Sequence, residues 1–191
     1  TQVIEWHEGR QRAVLDELAV EEPLEIRVNG QAAGITMRTP GDDFDLAAGF
    51  LLTEGIVTRR QAIERIVYGS APDGQISGNR VDVALVEAGP IDVSRLERVA
   101  AATSSCGVCG KGALAEVAVR SAPLPDGPRV PRSELARLPD RLAQPSFERM
   151  GGTHATGLFD AAGRPLLVRE DVGRHNAIDK VVGRALLDGL L

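Results

Sequence analysis

The chain has 191 residues, 43% apolar and 26% charged, with a formal net charge of −5. That length and apolar share suffice for a buried core, and the acidic balance, with a pI near 5.3, excludes a general nucleic-acid or membrane-surface binder. No apolar run approaches the roughly 20 residues that cross a bilayer, and no charged-then-apolar leader opens the sequence, so the cytoplasm is the expected location.

The polar start around Trp6 and His7 carries no functional signal. Leu24-Glu25-Ile26-Arg27-Val28 alternates apolar and polar residues, and after Asn29-Gly30 a second run reaches Ile35 and Met37. Asn-Gly between two such runs predicts a hairpin, because a type I′ turn needs positive φ at both central residues. Thr39-Pro40-Gly41-Asp42-Asp43 follows as a turn with an acidic helix start. Phe44, Ala47, Ala48, Leu51 and Leu52 recur at helical spacing, which predicts a helix of about three turns ending near Gly55. Asp42, Asp43 and Asp45 read as acids that complement the dipole of that helix. Residues 62–67 suit a short helix or a strand equally. Arg80 to Val86 alternates strictly and predicts a strand. Ser94 to Thr103 is ambiguous and leads into a loop that holds both cysteines.

Composition then shifts, with six of the eleven prolines between Pro123 and Pro145. This stretch reads as a linker or crossover with one short helix over 133–142, and it is where disorder is expected. Gly157-Leu158-Phe159 and Pro165-Leu166-Leu167-Val168 flank Asp160-Ala161-Ala162-Gly163, a second hairpin. The final helix is expected to start at Asn176 as N-cap, with Asp179 in the capping-box position. Ile178, Val181, Val182, Ala185 and Leu186 would form its apolar stripe. Strands and helices interleave, so the fold class is α/β or α+β. The sequence begins at Thr1 and stops inside an apolar pattern at Leu190-Leu191, so both ends are expected to be trimmed.

The chemistry concentrates in Ser104-Ser105-Cys106-Gly107-Val108-Cys109-Gly110-Lys111-Gly112. Two cysteines three apart would arise by random placement roughly once in a hundred trials. Glycine neighbours allow close approach of a partner. A helix beginning just behind, over 113–120, together with Lys111, would favour the reactive thiolate. Two further clusters follow. Gly151-Gly152-Thr153-His154 is a flexible loop whose N–H groups could form an anion-binding nest. Arg169-Glu170-Asp171-Val172-Gly173-Arg174-His175-Asn176 opens the last helix, where Arg174 suits phosphate and His175 can exchange a proton near neutral pH. The plainer alternatives are an inert buried thiol pair, a structural His154, and an Arg174–Glu170 surface ion pair. Zinc is the main competitor for the cysteines, with His154 and His175 completing a set by count, although they stand too far apart in sequence for a finger or ribbon. A thioredoxin-type motif would instead follow the first strand of a βαβ unit.

The run Ser104 to Lys111 resembles the signature of the FdhD-type formate dehydrogenase accessory proteins. The same family pattern is carried by Glu22-Pro23-Leu24, Val28-Asn29-Gly30, Met37-Arg38-Thr39-Pro40-Gly41-Asp42-Asp43, and Gly49 to Ile56. It continues in Gly151-Gly152-Thr153-His154-Ala155 and in Arg169 to Lys180. The resemblance implies a sulfurtransferase acting as a sulfur carrier, which takes a persulfide sulfur from a cysteine desulfurase and passes it to a molybdenum cofactor of the bis(molybdopterin guanine dinucleotide) type, before formate dehydrogenase receives it. It implies Cys106 as the persulfide carrier and Cys109 as its resolving partner. Thr39, Gly152, Thr153, His154, Arg174, His175 and Asn176 would hold the guanine-nucleotide part of the cofactor. A homodimer with no metal of its own is expected, and neither nucleic acid nor membrane is an expected partner. The implied fold is a three-layer α/β/α, cytidine-deaminase-like arrangement with an N-terminal hairpin-containing subdomain. Residues 1–100 would form that β-rich part, with a helix over 42–54. Residues 101–191 would form the deaminase-like part, with the cysteine loop, a proline-rich crossover over 121–150 and an incomplete C-terminus. A zinc deaminase-like hydrolase and a non-catalytic molybdoenzyme chaperone are the alternatives. The His-x-Glu proton shuttle of a zinc deaminase is missing, since His154-Ala155 is followed by Thr156.

Overall fold

The computed structural model describes residues 1–71, 74–86 and 126–191. The predicted Asn-Gly hairpin joins β3 (Glu22–Val28) to β4 (Gln31–Arg38), with Asn29 at φ 48° and Gly30 at φ 83°. Before it, β1 (Gln2–His7) and β2 (Arg10–Leu15) form a separate two-stranded ribbon. The ambiguous 62–67 segment is strand β5 (Ile63–Ser70), preceded by a 3₁₀ turn at Arg60–Ala62. Its apolar residues pair with β6 (Ile76–Leu85), Ile66 lying opposite Val83. These strands make one sheet in the order β4-β3-β6-β5, parallel between β3 and β6 and antiparallel elsewhere. The alternation along β6 is used as expected. Val81 and Val83 are buried, while Arg80 and Asp82 share a part-buried ion pair at 3.0 Å.

Helix α1 (Asp43–Thr53) contributes Leu46, Ala47, Ala48 and Leu51 to the core, alongside Leu24, Ile26 and Val28 of β3 and Val81 and Val83 of β6. Each of the Leu, Ile and Val side chains among them contributes roughly 1.5–3 kcal/mol through burial. The acids at its start do more than meet a dipole. Asp43 is buried and ion-paired with Arg38, itself 1% exposed, at 2.9 Å, and it accepts a hydrogen bond from the Tyr68 hydroxyl. Asp45 is also buried, and meets Arg169 at 2.9 Å.

The proline-rich stretch carries two short helices instead of one, α2 (Arg132–Leu135) and α3 (Pro145–Met150), with a 3₁₀ turn at Pro139–Arg141 between them. From 126 to 150 it is fastened rather than free. Arg141 donates to the Gly163 carbonyl at 2.7 Å and pairs with Glu134 at 2.7 Å. The second hairpin forms as expected from β7 (His154–Phe159) and β8 (Pro165–Asp171). Helix α4 (Arg174–Leu187) starts three residues earlier than expected, with Gly173 rather than Asn176 as N-cap. Asn176 therefore does not cap. Asp179 accepts from the Thr53 hydroxyl at 3.0 Å instead of closing a capping box, and Ile178 is 43% exposed, off the packed face.

Helices α1 and α4 cross with their backbones in contact. A Cβ built on Gly49 would lie 1.9 Å from the Asp179 carbonyl oxygen, and one on Gly183 would lie 1.8 Å from the Asp45 carbonyl oxygen. Gly49→Ala and Gly183→Ala are each expected to lower stability by about 2–3 kcal/mol, by forcing the helices apart, in urea unfolding. Asp179 sits at the same crossing. Burial pushes its carboxyl up to about 7, with Glu54 adding to the rise and the Thr53 hydroxyl opposing it. A carboxyl whose folded value exceeds its unfolded one contributes stability below about pH 4 and loses it as pH rises through 7. Unfolding free energy should therefore fall by on the order of 1–2 kcal/mol between pH 5.5 and 8. Asp179→Asn should remove that slope.

Candidate functional site

Strand β8 ends on Asp171, which is fully buried. Its carboxylate receives four donors: Lys180 Nζ at 2.8 Å, Thr39 N–H at 3.0 Å, Gly173 N–H at 2.8 Å and Asn176 Nδ2 at 3.1 Å. Lys180 is 1% exposed, and its ammonium also meets the carbonyls of Thr39 at 2.9 Å and Glu170 at 3.4 Å. Asn176 and Lys180 lie four residues apart on α4 and so share one face. From that face Asn176 reaches the Met37 carbonyl at 2.6 Å and the Thr36 hydroxyl at 3.0 Å. Val172 N–H closes the set by donating to Thr39 Oγ1 at 3.0 Å. The β4–α1 turn and the β8–α4 turn are thereby tied together. Gly173 has no room for a side chain here, since a Cβ would lie 2.9 Å from Asn176 Nδ2.

The Gly151-Gly152 pair reaches the same end of the β7–β8 hairpin. Gly151 has φ 65° with ψ −177° and Gly152 has φ 73°, conformations that glycine alone adopts readily. Thr153 then turns inward, 5% exposed, and donates to Glu170 at 3.2 Å. Glu170 also accepts the N–H groups of Ser146 and Phe147 at 2.9 Å each, which fastens α3 to β8. Burial raises the Glu170 carboxyl, but these hydrogen bonds outweigh it and hold it below the usual range. The alternative Arg174–Glu170 pair is therefore not made. His154 lies directly across the ladder from Asp171.

Thr39, Gly152, Thr153, His154, Arg174, His175 and Asn176 thus come to one end of the molecule, in two roles. Thr153 and Asn176 point into the protein and build the frame. Gly152, His154 and Arg174 are exposed, and His175 is half-buried, its Nδ1 shielded and without a hydrogen-bond partner among the described residues. Among the described residues no side chain caps α4, so its first-turn N–H groups face this surface and favour an anion. Among the described residues no group of three or more His, Cys, Asp or Glu is placed to hold a metal ion. Cys106 and Cys109 lie outside the described residues. Sequence reasoning missed Asp171, Lys180 and Glu170 as parts of the frame. The available signal was Lys180 itself, between Ala177 and Val181 on the buried face, where a cation requires a buried carboxylate.

The sequence profile of the FdhD/NarQ family matches residues 19–191. The chain belongs to the FdhD/NarQ family. Family relatives include the sulfur carrier protein FdhD of Streptomyces coelicolor, 50% identical over 191 residues, which cover 96% of this chain and 68% of that protein. The sulfur carrier protein FdhD of Mycobacterium tuberculosis is 49% identical over 180 residues, covering 88% of this chain and 64% of its own. A crystal structure from Desulfotalea psychrophila, described as a formate dehydrogenase accessory protein, superposes with a TM-score of 0.66 at 25% identity. That match covers 98% of this chain and 66% of the other. The chain thus spans about two thirds of the length of these relatives. The family fold seen here is a mixed α/β one, and among the described residues no helix is long and apolar enough to cross a membrane.

Removing either member of the buried pair, as in Lys180→Met or Asp171→Ala, strands a charge without water. Such a variant should lose about 3–5 kcal/mol of unfolding free energy in a urea titration against the parent.

Proposed function

We propose that the protein is a sulfur carrier in formate dehydrogenase maturation, with Cys106 as the carrying thiol. The observation behind this reading is that the family match over 19–191 spans Cys106-Gly107-Val108-Cys109, in relatives named as sulfur carrier proteins. In the first step the Cys106 thiolate attacks the terminal sulfur of a cysteine desulfurase persulfide. The desulfurase S–S bond breaks, its cysteine leaves as a thiolate, and Cys106 becomes the persulfide. In the second step the Cys109 thiolate attacks Cys106 Sγ. A Cys106–Cys109 disulfide forms, hydrosulfide is released to the cofactor, and an external thiol reductant then restores both cysteines.

The client is a molybdenum cofactor of the bis(molybdopterin guanine dinucleotide) type. Its anionic guanine-nucleotide arms suit the surface formed by Gly152, His154, Arg174, His175 and the start of α4, with Thr39 beside them. This ligand chemistry also accounts for an uncapped helix start set beside a glycine pair and an exposed arginine. The whole protein completes a three-layer, cytidine-deaminase-like α/β/α fold and works as a homodimer in the cytoplasm without a metal of its own.

Mass spectrometry after incubation with a cysteine desulfurase and free cysteine tests the reading. The parent should gain the mass of a sulfur atom, Cys106→Ala should not, and Cys109→Ala should load but fail to release it. No gain on the parent, or stoichiometric zinc in the purified protein, would overturn the carrier role.

A further inference from the structure

Every main-chain polar group of Thr39 is committed to one buried ion pair. Its N–H donates to Asp171 at 3.0 Å and its carbonyl accepts from Lys180 at 2.9 Å. Val172 N–H uses the hydroxyl oxygen as an acceptor, and the hydroxyl hydrogen has no acceptor among the described residues. The same pair grips the main chain just before α4, Asp171 through Gly173 N–H and Lys180 through the Glu170 carbonyl. Segments 132 residues apart in sequence are thus held by two side chains that solvent scarcely reaches. An apolar pair of similar volume would fill that space without the desolvation cost of two ions. What it could not do is present donors and an acceptor that fix backbone atoms of both turns at once.

We propose that Asp171 and Lys180 are positioning residues of the nucleotide-phosphate surface, setting where Thr39 stands against the first turn of α4 without touching the ligand. This rests on the reading of that surface given above. Its consequence is selective. Loosening the pair displaces the groups that face phosphate oxygens and leaves recognition of the base unaffected, whereas a general loss of folding weakens both.

The test is calorimetric titration of GDP and of guanosine into the intact chain and its Lys180 variants, with folding checked by circular dichroism. In Lys180→Met the GDP affinity should fall at least roughly tenfold, the scale of a lost hydrogen bond to a charged group, while guanosine affinity stays within about twofold. Lys180→Arg keeps a cation beside Asp171 and guards against a failure of Lys180→Met to fold. Its planar fork takes both carboxylate oxygens, in competition with Thr39 N–H and Gly173 N–H, so the same selective loss is expected. Parallel loss of both ligands, or unchanged GDP affinity in the folded variants, overturns the proposal. If the parent itself binds GDP no more tightly than guanosine, the surface is not a phosphate site and the underlying reading fails first.

Discussion

An ammonium and a carboxylate withdrawn from water lose several kcal/mol of hydration each, and their attraction repays this only when every remaining donor and acceptor is also met. The Asp171–Lys180 pair satisfies that condition with backbone. The carboxylate takes two main-chain N–H groups and an amide besides the ammonium, and the ammonium takes two carbonyls. A pair satisfied this way adds little net stability against an apolar core, yet it tolerates one arrangement of the surrounding chain. The β4–α1 turn, the end of β8 and the start of α4 are therefore specified together.

Helix α4 is fixed at a second place by a different force. At its crossing with α1, Gly49 and Gly183 let carbonyl oxygens of the opposite helix approach where any Cβ would collide. Dispersion and steric exclusion set the depth of that contact, while the polar hub sets the rotation of α4 about its axis by directing Asn176 and Lys180 inward. Neither constraint alone would place Arg174 and His175. Together they leave the first turn of α4 presented beside Gly152 and His154, with no side-chain cap on its N–H groups among the described residues.

Local rules read correctly where local interactions decide. Asn29-Gly30 needs positive φ at both positions, and the alternation of β3 and β6 follows from a sheet with one face on a core. The α1 stripe likewise falls where its period requires. The misreadings arise where a residue with a strong local preference has a stronger distant partner. Asn176 has the chemistry of an N-cap, but Met37, Thr36 and Asp171 claim its amide, so the helix starts earlier at a glycine. Asp43 and Asp45 suit a helix dipole, yet Arg38 and Arg169 draw them into the interior. The proline-rich segment has the composition of a linker, and the Glu170 carboxylate and the Gly163 carbonyl hold it in place. Arg38 and Asp171 stand only five residues from Asp43 and Asn176, but the other partners lie beyond any sequence window.

The candidate ligand residues divide by the same logic. Residue type alone cannot separate a polar side chain that meets a ligand from one that holds the loop presenting it, because both need hydrogen-bonding groups next to glycine. Burial separates them. Thr153 and Asn176 spend their side chains on Glu170 and on the Asp171 hub, so substitution there disturbs geometry before it disturbs any contact. Arg174 and His154 are exposed and make no comparable internal bond, so their chemistry is free for an anion. A cluster read from sequence as seven equivalent ligands thus divides into a few exposed groups and a buried polar frame. The placement of those exposed groups is inherited from residues that never face the solvent.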